Sequence, residues 1–259
     1  MYNTLRKARS LVTSAAVVGC LAFPALAEER EFSFSATATG TSDYIFRGVS
    51  QTDEGPAAQL GLDVTYGILY AGIWGSNVDS DFVGGSSGEV DFYGGIRPVW
   101  GPATFDFGVL YYVYPGSSTG KASRLWGVPV TGDENVFELK AGVSGDILPK
   151  LTATANLYWS PEAQYDNGEY FVYEGLLSYA LPQVMIFEPR ISGALGHVDN
   201  RDFSNVDSTY WNVGLALGVE KFTFDFRYWD TDNDAGCDDF VGAGVADERF
   251  VFTASITLP

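Results

Sequence analysis

From about residue 28 onward, apolar and polar residues alternate one by one. Phe32, Phe34, Ala36 and Ala38 are interleaved with Ser33, Ser35, Thr37 and Thr39, and Phe222, Phe224, Phe226 and Tyr228 with Thr223, Asp225 and Arg227. Between them, Val90, Phe92, Gly94 and Ile96 share one parity, while Glu89, Asp91, Tyr93 and Arg97 fall on the other side of the pattern. A period of two sends successive side chains to opposite faces of a strand, so each segment has one apolar face and one wet face. The pattern predicts twelve strands, at about 31–47, 56–66, 69–77, 88–99, 102–114, 134–145, 150–160, 168–180, 187–197, 207–219, 221–230 and 247–258. The connections between them alternate long and short. Gly67-Ile68, Trp100-Gly101, Asp146 to Pro149, Leu181 to Ile186 and Glu220 are short; 48–55, 78–87, 115–133, 161–167, 198–206 and 231–246 are longer. A soluble sandwich has no reason to alternate in this way. An outer-membrane barrel does, because short turns lie on the periplasmic side, long loops face outward, and an even strand number returns both ends to one side. The expected fold is all-β: a transmembrane, antiparallel, up-and-down barrel of about twelve strands.

Parity alone does not say which face is inside. If the apolar parity meets lipid, the lumen is lined by Asp63, Glu89, Asp91, Arg97, Asp106, Glu138, Lys140, Glu174, Glu188, Arg190, Asp225, Arg227 and Arg249. A lipocalin-like barrel with an apolar interior fits the same alternation. Three features favour the membrane barrel. Aromatic residues near strand ends, Phe32, Phe34, Tyr44, Phe46, Tyr158 and Trp159, read as interface girdles. Twelve strands exceed a lipocalin. The last strand places Phe250, Phe252, Ala254, Ile256 and Leu258 on one face, although it ends in Pro259 instead of an aromatic residue.

Composition then narrows the chemistry. The first 27 residues read as a secretory signal peptide: Arg6, Lys7 and Arg9, an apolar run from Leu11 to Phe23, and Ala25-Leu26-Ala27 at the cleavage site. Acylation at Cys20 is a rival reading. A single barrel is expected over 28–259, and removing the three leading bases takes the net charge from −18 to −21. Cleavage leaves Cys237 alone, so no internal disulfide is available. Strong acidity argues against nucleic acid, whose phosphates would be repelled. The expected partners are outer-membrane lipid and small hydrophilic solutes or ions, and oligomeric state is not legible.

The segment Ser42-Asp43-Tyr44-Ile45-Phe46-Arg47-Gly48-Val49-Ser50-Gln51-Thr52, followed by Gly72-Ile73-Trp74-Gly75-Ser76-Asn77-Val78-Asp79, resembles the TorF family of candidate porins. Members are also described as conserved proteobacterial proteins of unknown function. The motif residues are Ser42, Asp43, Tyr44, Phe46, Arg47, Gly48, Ser50, Gln51, Trp74, Ser76 and Asn77. The resemblance implies an exported barrel of the Gram-negative outer membrane with pore activity, and it carries no catalytic residues. Two readings of Arg47 stand: a charge that anchors the loop and shapes the pore mouth, or a side chain that satisfies loop carbonyls beside a turn at Gly48. Two readings of the lumen stand as well. Its charges leave an acidic surplus that favours cations, or they pair and plug the barrel.

Other motifs are weak. Asp230-Thr231-Asp232-Asn233-Asp234 imitates the start of a calcium loop, but Ala235 and Val241 stand where Gly and Glu are required. No metal site or cofactor is predicted. His197 is the one histidine, with Ser192, Asp199 and Ser204 near it in sequence, and this set forms no hydrolase motif, so no enzyme is predicted.

Overall fold

The computed structural model describes residues 32–81, 84–117, 134–166, 168–202, 207–232 and 244–259. Twelve long antiparallel strands form: β1 (Phe32–Thr41), β2 (Ala57–Tyr66), β3 (Leu69–Asn77), β4 (Gly88–Ile96), β5 (Ala103–Val113), β6 (Val136–Leu148), β7 (Leu151–Ser160), β8 (Tyr170–Ala180), β9 (Glu188–Asn200), β10 (Ser208–Val219), β11 (Phe222–Asp232) and β12 (Arg249–Leu258). Each pairs with the next. β1 also pairs with β12, in register from Ala36 opposite Leu258 to Thr41 opposite Thr253, so the sheet closes on itself. Closure removes both sheet edges and pairs the backbone polar groups internally, the condition for crossing lipid with strands.

The start of β1, the end of β12 and the five tight connections share one end of the barrel. The reversals at Gly67, Lys150 and Glu220 take φ of 57°, 68° and 52°, the left-handed conformation that two-residue hairpins demand. Val99–Trp100 adds a short rung to Ala103 and Thr104 in a fourth turn. The strand ends that the longer connections join lie at the opposite end.

The apolar parity faces outward. Phe32, Leu60 and Phe250 are 69%, 67% and 81% exposed. Outward aromatic rings collect near both ends: Phe32, Phe34, Tyr66 and Trp100 beside the tight turns, and Trp211, Tyr228 and Phe250 beside the long loops, where Tyr228 and Phe250 stand 5.1 Å apart. This is the surface of a membrane-spanning barrel. The buried cluster lies inside the long-loop end, where Val78, Tyr112, Tyr114, Val136, Tyr170, Val172 and Val245 pack together with Tyr44, Phe46 and Val49.

Several boundaries differ from expectation. β1 stops at Thr41 instead of 47, because hydrogen bonds of Ser42 and Asp43 turn the chain off the sheet. Tyr44 and Phe46 therefore leave the outward girdle and join the interior cluster. Tyr158 is inward as well, under Arg47. β4 ends at Ile96, since the turn to β5 begins at Arg97, whose amide bonds to the Ile68 carbonyl. β6 starts at Val136 and runs on to Leu148, and β9 reaches Asn200. The expected signal peptide with Cys20, the residues Asn233, Asp234, Ala235, Cys237 and Val241 of the calcium-like loop, and Ser204 lie outside the described residues.

Candidate functional site

The segment after β1 does not stand up as an outer loop. It folds into the barrel and is held there by a knot around Asp43. The Asp43 carboxylate accepts bonds from Ser50 Oγ at 2.6 Å, Thr52 Oγ1 at 2.9 Å and Arg249 Nη1 at 2.9 Å. Ser50 is fully buried and also accepts the Glu54 amide. The Gln51 amide bonds to the Tyr44 carbonyl at 2.7 Å, making Ile45–Phe46 and Val49–Ser50 a small antiparallel ribbon. At its tip Arg47 and Gly48 take φ of 49° and 85°. A Cβ on Gly48 would sit 2.1 Å from Thr231 Oγ1 and 2.6 Å from Tyr210 Cβ, so the chain can lie this close to the wall only without a side chain. Thr231 Oγ1 donates to the Gly48 carbonyl at 2.9 Å.

Arg47 then reaches across the lumen. Its guanidinium grips Glu138 of β6 through two bonds of 2.6 and 2.9 Å, five strands around the ring from β1. Glu138 is fully buried, and Tyr112 and Tyr170 donate to the same carboxylate at 2.8 and 2.5 Å. The rings of Phe46 and Tyr158 flank the guanidinium, 4.6 and 5.0 Å from Arg47 Cζ. Burial works against the charge on Arg47, but Glu138 and the two tyrosines overcome it and hold the guanidinium pKa above its ordinary value. Arg47 thus meets a carboxylate and not the loop carbonyls, with Gly48 supplying the turn beside it.

The second half of the motif holds the first. Trp74 packs edge-on against Tyr44 with centroids 5.3 Å apart. Asn77 accepts the Ala58 amide and donates to the Pro56 carbonyl, while Ser76 is buried and bonds to the Asn77 carbonyl. The Asp79 amide bonds to the Gln51 carbonyl at 2.8 Å. Residues 42–52 and 74–79 are thus one construction: a folded-in ribbon and its bracket. Ser42 contributes the last tie, exchanging backbone and hydroxyl bonds with Phe252 of β12.

The remaining expected lumen residues all have inward parity, opposite the exposed apolar side chains. Asp106 gathers Tyr70, Lys140 and Arg97 at 2.7, 3.0 and 3.3 Å. Arg227 binds Asp225 and reaches Asn212 and Ser192. Asp63 takes a bond from Tyr93, and Glu174 from Tyr210 and Asn156. Glu89 receives Tyr44 at 3.5 Å and is 2% exposed, whereas Glu188 and Arg190 stand exposed near the tight turns.

Sequence reasoning missed the inward tyrosines. Tyr93 reaches Asp63 by lying across Gly72 on the strand between them, and Tyr210 reaches Glu174 across Gly196; a Cβ on either glycine would fall 2.3 or 2.1 Å from the ring. The legible signal was an inward-parity glycine flanked, two strands apart, by a tyrosine and an acid. Beneath the ribbon lies a cavity of about 480 Å3, walled by Tyr44, Arg47, Trp74, Asp91, Tyr93, Glu174, Tyr210 and Trp229 among others. A second cavity of about 420 Å3 shares Glu174 and Trp229 and continues past Ser178, Ser192 and Thr152 toward the tight turns.

His197 faces outward and bonds to Thr209 at 2.9 Å, while Ser192, five residues earlier, faces the lumen and Asp199 pairs with Arg201. These groups do not converge.

Residues 27–257 match a family described as bacterial protein of unknown function (Gcw_chp). The chain belongs to that family. No curated protein matches it. Among solved structures, the Gcw_chp chain is similar to a KdgM porin at TM-score 0.57 and 6% identity, over 87% of this chain and 98% of the porin. The KdgM porin in complex with disordered oligogalacturonate gives the same score and identity, over 87% and 99%. A Salmonella typhi OmpF complex with daunomycin, at TM-score 0.44 and 8% identity over 88% and 98%, is too distant to carry an argument. At such identities the likeness concerns the fold: this Gcw_chp chain folds as porins fold.

Proposed function

We propose that this protein is a small outer-membrane porin of the TorF type, exported after cleavage at Ala27, that passes small hydrophilic solutes or ions with a preference for cations. In this reading the thirteen inward charges named above line the path, and the protein performs no catalysis. The observation that carries it is an imbalance of charge in the lumen. Among the described residues Arg47, Arg97, Lys140, Arg227 and Arg249 each lie against a carboxylate, Arg97 and Lys140 against the same one. Asp63 and Glu174 receive only hydroxyl and amide donors, and Asp91 Oδ1 is buried with no hydrogen-bond partner. The surplus is acidic, and of these acids Asp91 and Glu174 wall the cavity beneath the ribbon, where low-dielectric walls strengthen their field. Single-channel recording of refolded residues 28–259 in a planar bilayer, with reversal potentials under a salt gradient, tests this. Discrete small openings with cation selectivity are expected.

A second reading is favoured by the burial of Arg47 and Glu138 across the mouth: a non-conducting barrel, closed by its ribbon, whose acidic loops bind a surface partner. Silence from a folded barrel, together with openings once Arg47→Ala frees the ribbon, would establish that reading and remove the first.

A further inference from the structure

We propose that the chamber beneath the ribbon is a binding site for small organic cations bearing an ammonium group. The proposal rests on the porin reading and deepens it by naming a solute class. The chamber, at about 480 Å3, falls in the range of small-molecule sites. Its wall presents the rings of Tyr44, Trp74, Tyr93 and Trp229 beside the carboxylates of Asp91 and Glu174. Tyr93 and Tyr210 turn their hydroxyls to Asp63 and Glu174, so what they add to the wall is chiefly aromatic surface. Arg47, the one base on this wall among the described residues, is already held by both oxygens of Glu138.

Two acids of β4, Glu89 and Asp91, are buried side by side at the chamber. Glu89 is 2% exposed, and its Oε2 has no hydrogen-bond partner among the described residues; neither has Asp91 Oδ1, on the same face of β4. Buried carboxylate oxygens without donors are costly, and a cation drawn into the chamber offsets that cost for the pair. An anion would be repelled. An apolar solute would leave the acids as they are. An alkylammonium group is attracted both by the carboxylates and by the negative ring faces, which is how aromatic cages select quaternary ammonium.

The test uses Trp74 and Trp229 as reporters. The barrel is refolded in detergent and its tryptophan fluorescence is followed during titration with choline chloride, with sodium chloride holding ionic strength constant. Parallel titrations use 3,3-dimethylbutan-1-ol, the uncharged isostere, and glucose. Choline is expected to give a saturable change and the isostere none. Asp91→Asn and Glu174→Gln should each weaken choline roughly tenfold, while Glu248→Gln, on the exposed loop side, leaves it unchanged. Equal response to the isostere, a response to glucose with none to choline, or an Asp91→Asn barrel that binds like Glu248→Gln would overturn the proposal. Should the carboxylate variants fail to fold, the choline and isostere titrations of the unaltered barrel decide by themselves. Conductance separates the two proposals: choline binding by a silent barrel sustains the site and removes the porin, whereas a conducting barrel indifferent to choline removes the site alone.

Discussion

The two halves of the barrel interior hold their charges in different ways. Toward the long loops, Arg47 and Glu138 are 13% and 0% exposed, stacked among rings and tied by two tyrosine hydroxyls. Toward the tight turns, Arg97 is 49% exposed over the ring of Tyr70, and Glu188 and Arg190 are open to solvent. Strand alternation is the same in both halves. What differs is the fifteen-residue connection between β1 and β2, which fills one half and leaves the other lined but unfilled. An identical inward pattern of acids and bases thus gives a packed core where a loop supplies apolar surface and a wet wall where none does. Ion pairs in the first setting are hard to break from one side; those in the second contribute little.

Breaking the buried pair should have the largest effect. Arg47→Ala leaves the buried Glu138 carboxylate with the Tyr112 and Tyr170 hydroxyls but no counter-charge, a loss of about 3–5 kcal/mol to the seating of the ribbon. Hydrogen exchange across residues 42–56 should rise to that of a free loop, and combining it with Glu138→Gln should recover part of the protection. Gly48→Ala comes next. The new Cβ meets Thr231 and Tyr210 at a positive φ, so about 1–3 kcal/mol of seating should be lost while strand protection persists; unchanged exchange would contradict the close approach of chain and wall. Asp43→Asn keeps the shape but weakens the bond with Arg249, and about 1–2 kcal/mol is expected in the same exchange experiment. At the other end, Arg190→Gln should change barrel stability by less than about 0.5 kcal/mol and leave the ribbon untouched. A large effect there would erase the contrast between the halves.

Much of the barrel was legible from residue order alone. Period-two alternation places side chains by local geometry, and loop length follows from which end a turn occupies, so strand number and the shared face of residues such as Asp106 and Arg227 need no long-range information, while the choice of that face as the inner one drew on the strand count and the aromatic strand ends. The ribbon was not legible. Tyr44 and Phe46 continue the alternation of β1 and read as its outer girdle; they turn inward because Asp43 is captured by Arg249, 206 positions later, and Arg47 by Glu138, 91 positions later. Bonds of that span leave no trace in local periodicity. The motif resemblance marked these residues as special without saying that they meet.

Arg249 opens the last strand, yet its guanidinium holds Asp43, just beyond the first, and also contacts the Gly244 carbonyl. No intermediate lacking β12 can contain that bond. Until the final hairpin has zipped onto β1, the Asp43 knot is one charge short, and the nascent barrel is a sheet whose mouth has not been sealed. The last ties of the ribbon, at Asp43 and Ser42, therefore form only once the wall has closed on its final strand.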